Sequence, residues 1–132
     1  MSPLLNIDVP DLTTAEIFYR DAFGLTLVRR LGVGVTELGG WPVRVFLLEK
    51  SEGSIGAPGR TRSYERHWTP IHFDVVVTDV ATAYGRALSS GATSEREPTV
   101  APYGWLAMLV DPFGHGFCLI EFNDDGYEAL AK

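Results

Sequence analysis

Cysteine is nearly absent: Cys118 is the only one. An internal disulfide is therefore excluded, and a reducing, cytoplasmic location fits. No apolar run approaches the ~20 residues that a membrane helix requires, so no membrane partner is expected. The opening Met1-Ser-Pro-Leu-Leu-Asn6 has neither a basic region nor a cleavable apolar stretch, and secretion is not indicated. Basic residues are in deficit: Lys and Arg number 11 against 17 Asp and Glu, a formal charge of -6. Phosphate backbones call for a basic face, so no nucleic-acid partner is expected. There is no Gly-rich phosphate loop either. Gly32-Val-Gly34 lacks both the spacing and the strand-to-helix setting of a dinucleotide site. No serine or cysteine triad can be read from the chain alone.

What is present is a repeat. Leu4-Leu-Asn-Ile-Asp-Val-Pro-Asp-Leu-Thr-Thr-Ala15 returns as His72-Phe-Asp-Val-Val-Val-Thr-Asp-Val-Ala-Thr-Ala83. Val9, Asp11, Thr14 and Ala15 recur as Val77, Asp79, Thr82 and Ala83. Apolar positions agree between them: Leu5 with Phe73, Ile7 with Val75, Leu12 with Val80. A strand running into an Asp-capped helix has been duplicated, and internal repetition outranks any local motif as a signal of fold. The 132 residues and a hydrophobic content of 45% suit one ordinary domain or two half-size modules.

Periodicity predicts the elements. Leu4 to Val9 reads as a strand. Asp11 offers a helix N-cap, Ala15, Phe18, Ala22 and Leu25 follow at helical spacing, and Gly24 supplies the stop. Strands are predicted at Leu25 to Leu31, Val33 to Leu38 and Val43 to Glu49. Lys50 to Glu65 is polar and turn-forming, and reads as a linker or a flap. The second half repeats the plan: a strand over Ile71 to Val77, then a helix capped by Asp79 with an apolar stripe at Val80, Ala83, Tyr84, Ala87 and Leu88. Gly91 ends that helix. Strands are predicted at Ala92 to Glu97, Trp105 to Val110 and Phe117 to Phe122. Asp111-Pro-Phe-Gly-His115 is a tight turn. The tail from Asn123 carries Tyr127 and Leu130 and is expected to dock as a short helical segment.

These features together resemble the vicinal oxygen chelate superfamily, which contains glyoxalase I, bleomycin-resistance proteins and extradiol dioxygenases. The resemblance rests on the paired strand-Val-x-Asp-helix openings, on Ile17-Phe-Tyr-Arg-Asp-Ala-Phe-Gly24, and on the late Asp111-Pro-Phe-Gly turn. It covers almost the whole chain. It implies an α+β fold of two βαβββ modules with curled mixed sheets around a cleft. Residues 3-50 form the first module, 51-66 a linker loop and 67-123 the second, with a C-terminal tail, all within one domain. The resemblance also implies a homodimer and a small-molecule ligand.

Metal-dependent members of the superfamily carry a ligand at the start of the first strand of each module and another in its last strand. Those positions fall here on Leu4, Phe46, His72 and Cys118. Leu4 and Phe46 are hydrocarbon and cannot donate to a metal. Glu121 lies three residues beyond Cys118, and a strand of period two points it to the opposite face. The expectation is thus no metal cofactor. A divalent metal, if bound, would use His72 with Glu49, Cys118 or Glu121 in an unusual arrangement.

The first expectation for function is metal-independent binding of a small, partly aromatic molecule in an apolar cleft, with His72 orienting it. Phe46, Trp68, Tyr103, Trp105 and Cys118 are its other candidate contacts; Tyr103 and Trp105 flank Gly104, and aromatics beside a cleft suit planar ligands or, equally, a core. The alternatives are a metal-dependent lyase, isomerase or dioxygenase, and a metal-free enzyme in which His72 is catalytic. Histidine chemistry suits proton transfer near neutral pH. Arg60, Arg62 and Arg66 form a basic patch that would suit an anionic substituent or simply be solvated. His67 and His115 read as loop and turn residues.

Overall fold

A computed structural model describes all residues, 1–132. The chain divides into two compact units, Met1–Glu65 and Arg66–Lys132. In the first, β1 (Leu4–Val9) leads into α1 (Leu12–Phe23), followed by β2 (Thr26–Arg30), β3 (Val35–Gly39) and β4 (Arg44–Glu49). The sheet order is β1-β4-β3-β2, with β1 and β4 parallel and the other pairs antiparallel. A short hairpin follows, β5 (Ile55–Ala57) and β6 (Arg60–Thr61).

The second unit has the same plan: β7 (Phe73–Val76), α2 (Val80–Ser90), β8 (Thr93–Ala101), β9 (Gly104–Val110) and β10 (Gly116–Phe122), in the order β7-β10-β9-β8. Here β7 and β10 are the parallel pair. Both sheets are open and mixed, as the repeat predicts. A 3-10 turn over Gly126–Leu130 closes the chain, held by the edge-on rings of Tyr103, Phe122 and Tyr127. No helix is long and apolar enough to cross a membrane.

The repeat has a physical basis. Each helix begins with an Asp whose carboxylate accepts from the backbone N–H three residues on, Asp11 from Thr14 and Asp79 from Thr82. Each ends on a left-handed glycine, Gly24 and Gly91. A glutamate from the last long strand of each unit accepts from the first helical N–H, Glu49 from Leu12 and Glu121 from Val80, both at 2.9 Å. The carboxylates thus satisfy donors that a helix cannot pair by itself and sit at its positive end. Between these anchors α1 buries Ala15, Phe18, Tyr19 and Ala22, a helical stripe, against the sheet.

Two segments hold more regular structure than periodicity showed. The polar stretch 50–65, read as a linker or a flap, carries the β5–β6 hairpin. Arg62 pins it, with Nε donating to Asp8 at 2.8 Å and a terminal nitrogen to the Ile55 carbonyl at 2.6 Å. The Tyr64 hydroxyl donates to the Lys50 carbonyl at 2.6 Å. These bonds are made by side chains, so hydropathy does not reveal them. Strand β8 runs past Glu97 to Ala101 despite Pro98. The pairing with β9 shifts register between Arg96 and Thr99, and β8 is an edge strand, where proline is tolerated.

The Asp111 turn forms as predicted. Asp111 is buried, and its carboxylate accepts from the backbone N–H groups of Phe113 and His115 at 2.8 and 2.9 Å. His115 lies in this turn, opposite the Asp111 N–H that its carbonyl accepts.

Candidate functional site

The second unit contains a pocket of about 260 Å3. Trp68 and Met108 give it hydrocarbon, its polar lining includes Arg66, Thr69, His72, Glu95 and Cys118, and Leu109 and Phe117 border it from strand positions whose buried side chains turn to the other face. Sheet register explains how these meet. Asp74, Cys118 and Met108 are paired neighbours across β7, β10 and β9, and side chains of paired residues share a face. His72 precedes Asp74 by one strand period and joins them. Phe117 is held by stacking against Phe73, ring centroids 5.7 Å apart.

His72, Asp74 and Cys118 each present a heteroatom, all within 4.8 Å of one another. His72 Nε2 lies 3.3 Å from Asp74 Oδ1. A carboxylate only accepts, and of the two ring nitrogens it is Nε2 that faces it. Cys118 is buried. Burial, then the Asp74 charge and the hydrogen bond that the thiol gives to it, push the thiol up to about 11. It is thus a neutral thiol at physiological pH, a weak nucleophile.

The mouth of the pocket carries an ion pair. Arg66 Nε and one terminal nitrogen donate to Glu95 at 2.9 and 3.1 Å, and the other terminal nitrogen donates to the His67 carbonyl at 2.8 Å. Glu95 holds the Arg66 guanidinium firmly protonated.

The candidates from sequence separate. His72, Cys118 and Trp68 line the pocket; Phe46, Tyr103 and Trp105 do not. Tyr103 packs on Phe122 and Tyr127. Trp105 pairs with Glu121, on the face opposite Cys118. Phe46 belongs to the first unit, buried beneath Arg44, whose guanidinium carbon lies 5.4 Å from the ring centroid. Glu37 also accepts from Arg44 and from Arg29, so side chains close this sheet face.

Asp74 was legible one strand period beyond His72. Glu95 carries no local signal. Of the three arginines in the basic patch, Arg62 is structural and Arg66 reaches the pocket.

The donor set can be compared with a metal-dependent constellation. The first-unit positions are Leu4 and Phe46, which have no donor atom. Glu49 and Glu121 are engaged at helix starts, each accepting from the first helical N–H. Asp74, not either glutamate, is the carboxylate beside His72. The residues therefore do not fit the four-position site that the superfamily uses.

Comparison with known proteins agrees with this architecture. Residues 5–120 match the model of the glyoxalase-like domain. This chain belongs to that family, within the vicinal oxygen chelate superfamily. Its curated relatives include the anthracycline biosynthesis protein DauV of Streptomyces sp. (strain C5), 31% identical over 121 residues, which are 92% of this chain and 41% of that protein. The anthracycline biosynthesis protein DnrV of Streptomyces peucetius is 36% identical over 73 residues, 55% of this chain and 25% of that protein. The chain thus spans less than half the length of the curated relatives it matches. Among solved structures, a glyoxalase/bleomycin resistance protein/dioxygenase family enzyme from Burkholderia phytofirmans PsJN has a TM-score of 0.72 at 18% identity, covering 91% of this chain and 97% of that one. TnmS3, an antibiotic binding protein from Streptomyces sp. CB03234, has a TM-score of 0.63 at 21% identity, covering 93% and 98%.

Proposed function

We propose that this protein binds a small, partly aromatic organic molecule in the pocket of its second unit, without a metal ion. The observation that carries the reading is the pocket itself: Trp68 and Met108 present apolar surface beside a few convergent polar groups. Leu4 and Phe46, where metal donors would stand, support the metal-free form. The relatives named for anthracycline biosynthesis, and the antibiotic binding protein of like fold, support an aromatic natural product as the class. His72, with Asp74 3.3 Å from its Nε2, would orient the ligand. Sequestration from water is then the function, and a homodimer is the form in which we expect it.

Thermal-shift and fluorescence titration with a panel of polycyclic aromatic compounds, each with and without chelator, tests this. Micromolar binding that chelation leaves unchanged is expected. Stoichiometric Zn, Ni, Fe or Mn in protein purified without chelator, lost on His72→Ala, would replace the reading with a metalloenzyme.

The His72–Asp74 contact of 3.3 Å favours a second reading, metal-free proton transfer by His72 on the bound molecule. Turnover that survives chelation and is abolished by His72→Ala would distinguish it from sequestration.

A further inference from the structure

We propose that Arg66 is the specificity-determining residue of this pocket, holding an uncharged acceptor oxygen of a ketone, quinone or phenol at the edge of the aromatic ligand. The inference rests on the ligand-binding reading above and names the ligand's chemistry.

It starts from Gly116, the first residue of β10. Glycine weakens a strand and needs a reason there. Its backbone supplies none, because Gly116 is not among the glycines with positive φ. Space offers one: a Cβ at Gly116 would lie 2.6 Å from a terminal nitrogen of Arg66, 2.9 Å from its guanidinium carbon and 3.1 Å from the other terminal nitrogen, so an alanine here would be accommodated by moving the guanidinium. The guanidinium therefore rests on bare backbone at the pocket wall. Three of its five N–H groups are taken, two by Glu95 and one by the His67 carbonyl. The remaining two lie in the same rigid plane. Held on three sides, the group would lose little freedom on meeting a ligand.

Stability does not explain this arrangement. The Arg66 and Glu95 side chains are 40% and 36% exposed, and ion pairs so exposed add little to folding. Glu95 also decides which oxygen suits the site. It offsets the arginine charge and would repel a phosphate or carboxylate, so a neutral carbonyl or phenolic oxygen fits better. Trp68, 82% exposed on the same lining, supplies a face for the ring system.

The test uses two probes read by quenching of tryptophan emission. 1,8-Dihydroxyanthraquinone carries edge oxygens; N-phenyl-1-naphthylamine carries none. Wild type is expected to bind both. Arg66→Met and Gly116→Ala should each weaken the anthraquinone about tenfold and the naphthylamine far less, under about twofold. Gly116→Ala keeps every charge, so its effect reports position, and it decides the matter should Arg66→Met fail to fold. Equal weakening of both probes, no weakening of the anthraquinone, or wild-type binding of the naphthylamine alone would overturn this inference and leave the ligand-binding reading standing. Binding of neither probe by folded wild type would overturn both.

Discussion

Glu121 tests the division of labour between fold and site. Its carboxylate accepts from Val80 N–H at the positive end of α2, at 2.9 Å in a half-buried setting. Glu121→Ala removes that acceptor and leaves the N–H to water. A hydrogen bond to a charged group contributes roughly 1.5–3 kcal/mol, and partial exposure places this one near the lower end, about 1.5–2 kcal/mol. At roughly 2.1 cal/mol/K per residue, the 132 residues unfold with an entropy of about 0.28 kcal/mol/K, so the midpoint should fall by about 5–7 °C. Glu121→Gln keeps an oxygen acceptor and should recover about half of the loss. Glu49→Ala removes the twin contact to Leu12, which is exposed, and should lower the midpoint less. Circular dichroism melting measures all three. Below the transition, naphthylamine binding should be unaffected by Glu121→Ala, because the carboxylate faces α2 and not the pocket. A midpoint within about 1 °C of wild type would refute the anchoring argument. So would loss of a bound metal ion in the variant.

Further outcomes follow from the same geometry. Asp111→Ala orphans two backbone N–H groups in a buried turn and should cost roughly 3 kcal/mol, seen as a midpoint lowered by about 10 °C; a neutral result would refute the turn's role. Cys118 should alkylate slowly with iodoacetamide at pH 7.5 and accelerate only as pH approaches about 11, while Asp74→Asn should shift that profile to lower pH. The folded chain keeps the Cys118 proton to about 11 while an exposed thiol releases it near 9.0, so this contribution is full below pH 9 and is lost as pH rises through about 11. A thiol that reacts like free cysteine at neutral pH would contradict the burial. Dialysis against chelator should leave probe affinity within about twofold, and a larger loss would point to an ion at His72.

Local chemistry alone was enough for much of the fold. Asp11 and Asp79, Gly24 and Gly91, and the alternating apolar strands specify where elements start, stop and face, because caps and strand periods act over a few residues. The repeat then implied that one plan is used twice. Hydrocarbon at Leu4 and Phe46 was equally plain, since no folding can give a leucine or a phenylalanine a donor atom. Distance in the chain hid the remainder. Arg62 and Arg66 sit in the same polar stretch, yet one pins a hairpin to Asp8 and the other rests on Gly116 beside Glu95; only the pairing of β10, β9 and β8 decides which. Glu49 and Glu121 could be placed on a strand face from sequence, but that they reach helix N–H groups depends on how each helix lies on its sheet. Side-chain identity and local backbone preference are written residue by residue. A pocket depends on residues far apart in sequence, and packing of the sheet brings them together.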